Sequence, residues 1–260
     1  MMRTTTATRY VVPLREGGSL PAIVEADDLG LYVVKFRGAG QGILALIAEL
    51  IAGEIGRTLG LRVPELVFIE IDPTLGRNEP DYEIRQLLKA SAGLNLAIDY
   101  LPGSVTFDPA ARDTAAEEEA SLIVWFDAFT QNVDRTAKNT NLLVWHGKLY
   151  LIDHGAALYF HHNWDNMREK IESTFPEIRN HVLLRWASEI PAAAAVAHER
   201  LTPKAIEEIV GVIPEAWLEA IPGYVDAAER RAGYIDFLVQ RLNISHIFEE
   251  EAIDARARLI

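Results

Sequence analysis

Cysteine is absent from the 260 residues, which excludes a disulfide framework and any thiolate-ligated metal. No run of 18 apolar residues occurs, so the sequence offers no candidate transmembrane helix. The opening "MMRTTTATRYVV" lacks the unbroken apolar centre of a signal peptide. Positive charge is also scarce: 25 Lys and Arg against 38 Asp and Glu leave a formal charge of −13, which repels nucleic-acid phosphates and anionic lipid. Nucleic acid and membrane are therefore not expected as partners, and the cytoplasm is the expected compartment. Neither an internal repeat nor a long low-complexity linker is present. Apolar residues, at 49%, are plentiful enough for one large domain or two packed lobes.

The chain changes character about midway. "YVVPL", "PAIVEA", "LYVVKF" and "ELVFIEID", between residues 9 and 72, are short β-branched and aromatic runs separated by turn signals such as "EGGS" and "DDLG". Between the third and fourth lies "QGILALIAELIAGEIGRTLGL", apolar at helical spacing, ended by Gly60 with Pro64 just beyond. A further strand is expected near residues 96–101. From residue 114 helices dominate, beginning with "TAAEEEASLIVWFDAFTQN", where Thr114 is an N-cap candidate and three glutamates complement the helix dipole. Helices are also expected over 166–175, 176–190, 192–201, 202–213 and 214–221, with a final one from about Tyr224 to Leu242. Thr202 and Pro203 read as the cap and first residue of a surface helix. The pattern is a small mixed lobe and a larger helical lobe, joined by the turn-rich segment 99–114.

One stretch, "QNVDRTAKNTNLLVWHGKLYLIDHG" at 131–155, concentrates chemistry. Asp134 precedes Asn139 by five residues; two strand-like runs around the turn "HG" follow, and the second ends at Asp153-His154-Gly155. Phosphoryl transfer uses such groups in that order: a carboxylate for the attacking hydroxyl, then an amide oxygen and a second carboxylate for Mg²⁺. Protein kinases carry Asp-x-x-x-x-Asn followed by Asp-Phe-Gly. Asp and Asn are equally ordinary turn formers at hairpin ends. Lys35, inside "LYVVKF", is either an edge-strand charge or the lysine that meets nucleotide phosphates. Gly17-Gly18-Ser19 would let backbone N–H groups approach phosphate. A buried carboxylate on the following helix would pair with Lys35, and Glu49 and Glu54 compete for that place. His161, His162 and Asp165 read as surface residues rather than a metal site. Trp125, Trp145 and Trp217 read as core.

Taken together, "GGSLPAIVEADDLGLYVVKF", "AELIAGEIGRTLGLRVPE", "NVDRTAKNTNLL" and "LYLIDHGAAL" resemble the HipA-like kinases, relatives of the bacterial HipA serine/threonine kinase toxins, over roughly residues 10–160. The resemblance implies a two-lobed, protein-kinase-like α+β fold, with a small mixed sheet-and-helix N-lobe over 9–101 and a mainly helical C-lobe over 102–260. It favours Glu49 over Glu54. It implies that Lys35 binds phosphates, Glu49 holds that lysine, Asp134 is the catalytic base, and Asn139 and Asp153 bind Mg²⁺. Gly17, Gly18 and Ser19 would cradle phosphate, and the backbone of Asp99, Tyr100 and Leu101 would meet the adenine. The expected activity is transfer of the γ-phosphoryl group of ATP to a hydroxyl, with a protein Ser/Thr as foremost acceptor. The alternatives are a small-molecule phosphotransferase and a nucleotide-binding pseudokinase that serves as a partner-binding module. The toxins' additional N-terminal subdomain is not expected within these 260 residues, and their autophosphorylated serine finds no clear counterpart, Ser19 being only nearby.

Overall fold

Period-2 alternation in the first hundred residues closes into a barrel. The computed structural model describes residues 2–14, 20–40, 42–77, 79–111, 113–221 and 226–259. Strands β1 (Thr4–Pro13), β2 (Ala22–Ala26), β3 (Leu31–Lys35), β4 (Leu66–Ile71) and β5 (Gly93–Asp99) are ordered β1-β2-β3-β5-β4 around it. β1 and β4 close it in parallel, from Thr4 opposite Phe68 to Thr6 opposite Glu70; the other pairs are antiparallel. Ala22, Val24, Val34, Ile69 and Ala97 belong to one buried apolar cluster. β1 begins well before the "YVVPL" run, because threonines as well as valines suit a strand.

Helix α1 (Gly42–Thr58) packs on the barrel through Leu46, Leu50 and Ile55. Gly53 permits the close approach: a Cβ there would sit 2.6 Å from Leu66 Cδ1. Gly60 ends the helix at φ +82°, with Leu61 N–H donating to Gly56 O and Gly60 N–H to Arg57 O, a Schellman cap. Helix α2 (Tyr82–Ala90), capped by the Asp81 carboxylate, occupies a stretch that sequence reading left without an element.

Beyond β5, the short β6 (Val105–Thr106) joins the hairpin of β7 (Leu142–Trp145) and β8 (Lys148–Leu151). The hairpin turns at His146 and Gly147, both at positive φ, as a two-residue type I′ connection requires. Helix α3 (Glu117–Thr130) starts three residues after Thr114, and Ala116 in the cap position provides no side-chain bond. The helices that follow are α4 (Met167–Ile171), α5 (Ile190–Arg200), α6 (Pro203–Gly211), α7 (Glu215–Glu219), α8 (Ala227–Asn243) and α9 (His246–Ala257). Thr202 caps α6, accepting from Ala205 N–H, with Pro203 in the first turn. Tyr224, the expected start of the last helix, lies outside the described residues, and α9 is an additional helix.

The segment 176–190, expected as a helix, instead forms short 3₁₀ turns at Pro176–Asn180 and Leu184–Trp186. Its backbone is engaged elsewhere: His181 bridges Thr136, and Val182 N–H donates to Arg135 O. Trp125 and Trp217 are buried, whereas Trp145 is half-exposed and donates to Pro102 O. His161 corrects the surface reading. Its ring is buried with Nδ1 3.0 Å from the Tyr234 hydroxyl, while His162 and Asp165 are exposed. The 3₁₀ turn Tyr159–His162 sends the His161 ring inward to Tyr234 while His162, its ring centroid 4.7 Å away, stays exposed.

One apolar cluster continues from α1, β4 and β5 through α3 into α5, α6, α8 and α9. Buried Arg241 of α8 fastens it, donating to the Ala128 and Phe129 carbonyls at the end of α3 and to Lys170, Ile171 and Ser173 carbonyls at the end of α4. A cation suits two helix C-termini, although burial brings its pKa down to about 9. The end of α3 fixed in this way carries the loop that contains Asp134.

Candidate active site

Alternation along β3 turns Tyr32 and Val34 into the barrel and leaves Val33 and Lys35 on the opposite face. Both line a cleft of about 740 Å³ between the barrel and the β7–β8 hairpin. Val12, Val33 and Ile98 from the barrel and Leu143 and Ile152 from the hairpin side make the cleft apolar, and Lys35, Asn139, Asn141 and Asp153 add polar groups to its lining. Asp99, Tyr100 and Leu101 line the same cleft. Asp99 N–H donates to Glu65 O and Tyr100 N–H to Leu31 O.

Around Lys35 four residues close a ring. Lys35 Nζ lies 2.5 Å from Glu49 Oε2 and 2.5 Å from Asp153 Oδ1. His154 N–H donates to Glu49 Oε2 at 2.7 Å, and His154 Nδ1 is 3.3 Å from Glu49 Oε1. Asp153 takes φ +54°, a conformation that Asp tolerates better than most residues. Its side chain remains 47% exposed, while Glu49 is buried. Burial works against charge on Lys35 and Glu49, but their attraction outweighs it. Lys35 is raised above the ordinary lysine value, with Asp153 adding to the effect, and Glu49 is lowered below the ordinary carboxylate value, with His154 adding. Glu54, the rival, is half-buried and turned towards Arg57 at 3.6 Å.

Asp134 sits beside this ring, its Oδ2 accepting from Asn139 Nδ2 at 2.8 Å and Asn141 Nδ2 at 3.3 Å. Burial raises its pKa above the ordinary carboxylate value and the Asp153 charge adds to that, while Asn141, Asn139 and Arg135 pull the other way. The loop is held from beneath by buried Asp127 of α3. Its carboxylate receives Arg135 Nε at 2.6 Å, Asn132 Nδ2 at 3.0 Å and His181 Nε2 at 2.8 Å. Burial opposes ionisation, but the Arg135 charge and the His181 bond bring the Asp127 pKa down to about 2. Arg135 also donates to the Asn141 carbonyl, and Asn132 Oδ1 accepts from Asp134 N–H.

The structure therefore gathers Lys35, Glu49, Asp134, Asn139 and Asp153 at one end of the cleft and Asp99, Tyr100 and Leu101 along it. Gly17, Gly18 and Ser19 lie outside the described residues. Sequence reading missed Asn141, and it missed the Asp127–Arg135–His181 support, whose members are separated by 8 and 54 residues and share no local pattern. It also passed over "RGAGQG" after Lys35. Ala39 and Gly42 of that stretch, Gly42 at φ +61°, line a small recess with Lys35, Asp153 and Gly155.

The *Helicobacter pylori* proinflammatory kinase CtkA has a similar fold, with TM-score 0.55 and 13% identity over 100% of this chain and 99% of that one. The Golgi casein kinase, solved with Mn and ADP bound, is similar at TM-score 0.51 and 13% identity, over 96% of this chain and 73% of that one. No curated protein sequence matches the chain. The sequence model of the HipA-like kinases matches residues 9–250. With nearly its whole length matched, the chain belongs to the HipA-like kinase family and is an enzyme of the kinase type.

Proposed function

We propose that this kinase transfers the γ-phosphoryl group of ATP to a hydroxyl, with Mg²⁺, and that a protein serine or threonine is the acceptor. The observation that carries the reading is the convergence of Lys35, Asn139, Asn141 and Asp153 on one cleft whose remaining lining is largely apolar. Its volume falls in the range of small-ligand sites. The division into an N-lobe over 9–101 and a C-lobe over 102–260, with the nucleotide between, belongs to this reading; β1, beginning at Thr4, adds residues to the first lobe.

The donor set fits the proposed ligands. Asp153, half-exposed to the cleft, and exposed Asn139 offer the oxygen ligands that Mg²⁺ favours. Bound there, Mg²⁺ would neutralise phosphate charge and orient the phosphates. The Lys35 ammonium, 12% exposed and anchored by Glu49, faces the phosphates. With the Asp99 and Tyr100 N–H groups engaged, the Leu101 N–H is the donor left for a base edge. Asp134 accepts the proton of the acceptor hydroxyl as its oxygen bonds to the γ-phosphorus and the bond from phosphorus to the bridging oxygen of ADP breaks. Its hydrogen bonds to Asn139 and Asn141 orient the carboxylate for that proton.

Incubation of the purified protein with γ-labelled ATP and Mg²⁺, in parallel with a proteome extract and with small alcohols and sugars, tests the reading. Label is expected on protein serine or threonine. Label confined to small alcohols would replace the acceptor class, and tight nucleotide binding without any transfer would replace the enzyme by a binding module.

A further inference from the structure

We infer that the His154 imidazole is a positioning residue that fixes the plane of the Glu49 carboxylate and thereby holds Lys35 and Asp153 at the phosphate end of the cleft. The inference rests on the reading of that end as the nucleotide and metal site.

Glu49 has two oxygens and three donors. Oε2 takes Lys35 Nζ and His154 N–H; Oε1 takes His154 Nδ1. An ammonium at 2.5 Å keeps this buried carboxylate ionised, and an ionised carboxylate only accepts. His154 Nδ1 therefore carries the proton and donates. The opposite nitrogen, Nε2, is buried with no hydrogen-bond partner among the described residues. A buried polar nitrogen without a partner is destabilising. The ring packs edge-on against Phe126, with centroids 5.7 Å apart and planes at 79°, a contact that phenylalanine would make without the orphan. What histidine adds over an apolar ring is thus the bond to Glu49 Oε1.

That bond completes the geometry. With both donors on Oε2 alone, the carboxylate could turn about its last torsion, which is broad for glutamate. With Oε1 also held, its plane is set relative to α1 and to the strand end. The left-handed backbone at Asp153 accompanies a His154 N–H that meets Glu49 and a carboxylate that lines the cleft. Lys35 bridges the two carboxylates, so a turn of Glu49 would release both the ammonium and its hold on Asp153.

Three substitutions separate the bond from the ring. His154→Asn places an amide N–H where Nδ1 stands, His154→Gln carries its N–H one bond further out, and His154→Phe keeps the ring and removes the donor. We expect His154→Phe to melt at or above the wild-type temperature yet bind Mg·ADP roughly tenfold more weakly by calorimetry, as loss of a supporting bond behind a ligand does. His154→Asn should return most of that affinity and His154→Gln should not. Nitrogen NMR of the wild-type protein should show His154 protonated at Nδ1, a readout independent of whether any variant folds. A proton at Nε2 alone, wild-type affinity in His154→Phe, or equal weakening in the Asn and Phe variants would each overturn the inference. Lys35→Ala serves as the control. If it leaves Mg·ADP binding unchanged, the reading of the site fails and takes the inference with it; if it weakens binding while His154→Phe does not, only the role of His154 fails.

Discussion

Two buried carboxylates, Glu49 and Asp127, are each met by one cation and one histidine, and they are finished differently. Around Asp127 every side-chain nitrogen of Arg135 and His181 has a partner. Arg135 and Asp127 are fully buried, His181 Nε2 donates to the carboxylate, and His181 Nδ1 accepts from Leu183 N–H. Around Glu49 valences stay open. The cation is a lysine with 12% of its side chain exposed, it is shared with half-exposed Asp153, and the histidine keeps a nitrogen without a partner among the described residues. An arginine fork locked onto a planar carboxylate suits a fixed support, whereas an ammonium on a flexible stem can exchange partners with a ligand. The first cluster holds the Asp134 loop still, and the second meets what enters the cleft.

The largest expected effect follows from breaking the closed cluster. Asp127→Ala leaves the Arg135 charge buried without its carboxylate, a loss of about 3–5 kcal/mol, and chemical denaturation should show stability and activity falling together. Breaking the open cluster should do the reverse: Asp153→Asn should weaken Mg·ADP binding by roughly 10–100-fold while the melting temperature changes little, because that side chain is half in solvent. A calorimetric titration with unchanged Mg·ADP affinity would remove Asp153 from the proposed metal site. Asn141→Ala should lower turnover by about tenfold, within the range of a misplaced general base, with nucleotide affinity retained. It would remove the amide that bonds both the Asp134 carbonyl and carboxylate.

The smallest effect is in the dependence of stability on pH. His181 and His161 are both lowered by burial, His161 to about 3. A base whose folded pKa lies below its unfolded value stabilises fully above the unfolded pKa and loses that stabilisation as pH falls. Melting temperature should therefore decline from about pH 6.5 downwards, and His161→Phe should flatten the decline. Asp127 contributes at lower pH, from its ordinary 3.8 to about 2, with stability lost as pH falls through that window. A melting temperature independent of pH between 7 and 4 would contradict the neutral, buried histidines.

Legibility in the sequence follows the range of the interactions. A lysine among the apolar residues of "LYVVKF" stood out as a candidate, and Gly60 and Pro64 marked the end of α1, because these signals are local. The hairpin was legible from "HG", the two residues its turn needs. Helix α2 had a signal that went unread, Asp81 followed by Ile84, Leu87 and Leu88 at helical spacing. Helix α9 buries only Phe248, Ala252 and Ala255, a stripe too thin to stand out from its glutamates. The helical reading of 176–190 failed because pairing with Arg135 and Thr136 claims its backbone. In the site, the five-residue spacing of Asp134 and Asn139 marked the loop, but nothing near Asp127 announces His181.

The most direct test of this division of labour is Asp134→Ala, measured on one purified protein for melting temperature, Mg·ADP affinity and phosphoryl transfer. Asp134 touches neither Glu49 nor Lys35 among the described contacts, and its carboxylate binds only the Asn139 and Asn141 amides. The expected result is a folded protein with nearly wild-type nucleotide affinity and turnover reduced by roughly 10²-fold or more. A stable Asp134→Ala protein that transfers phosphate at the wild-type rate would contradict the account.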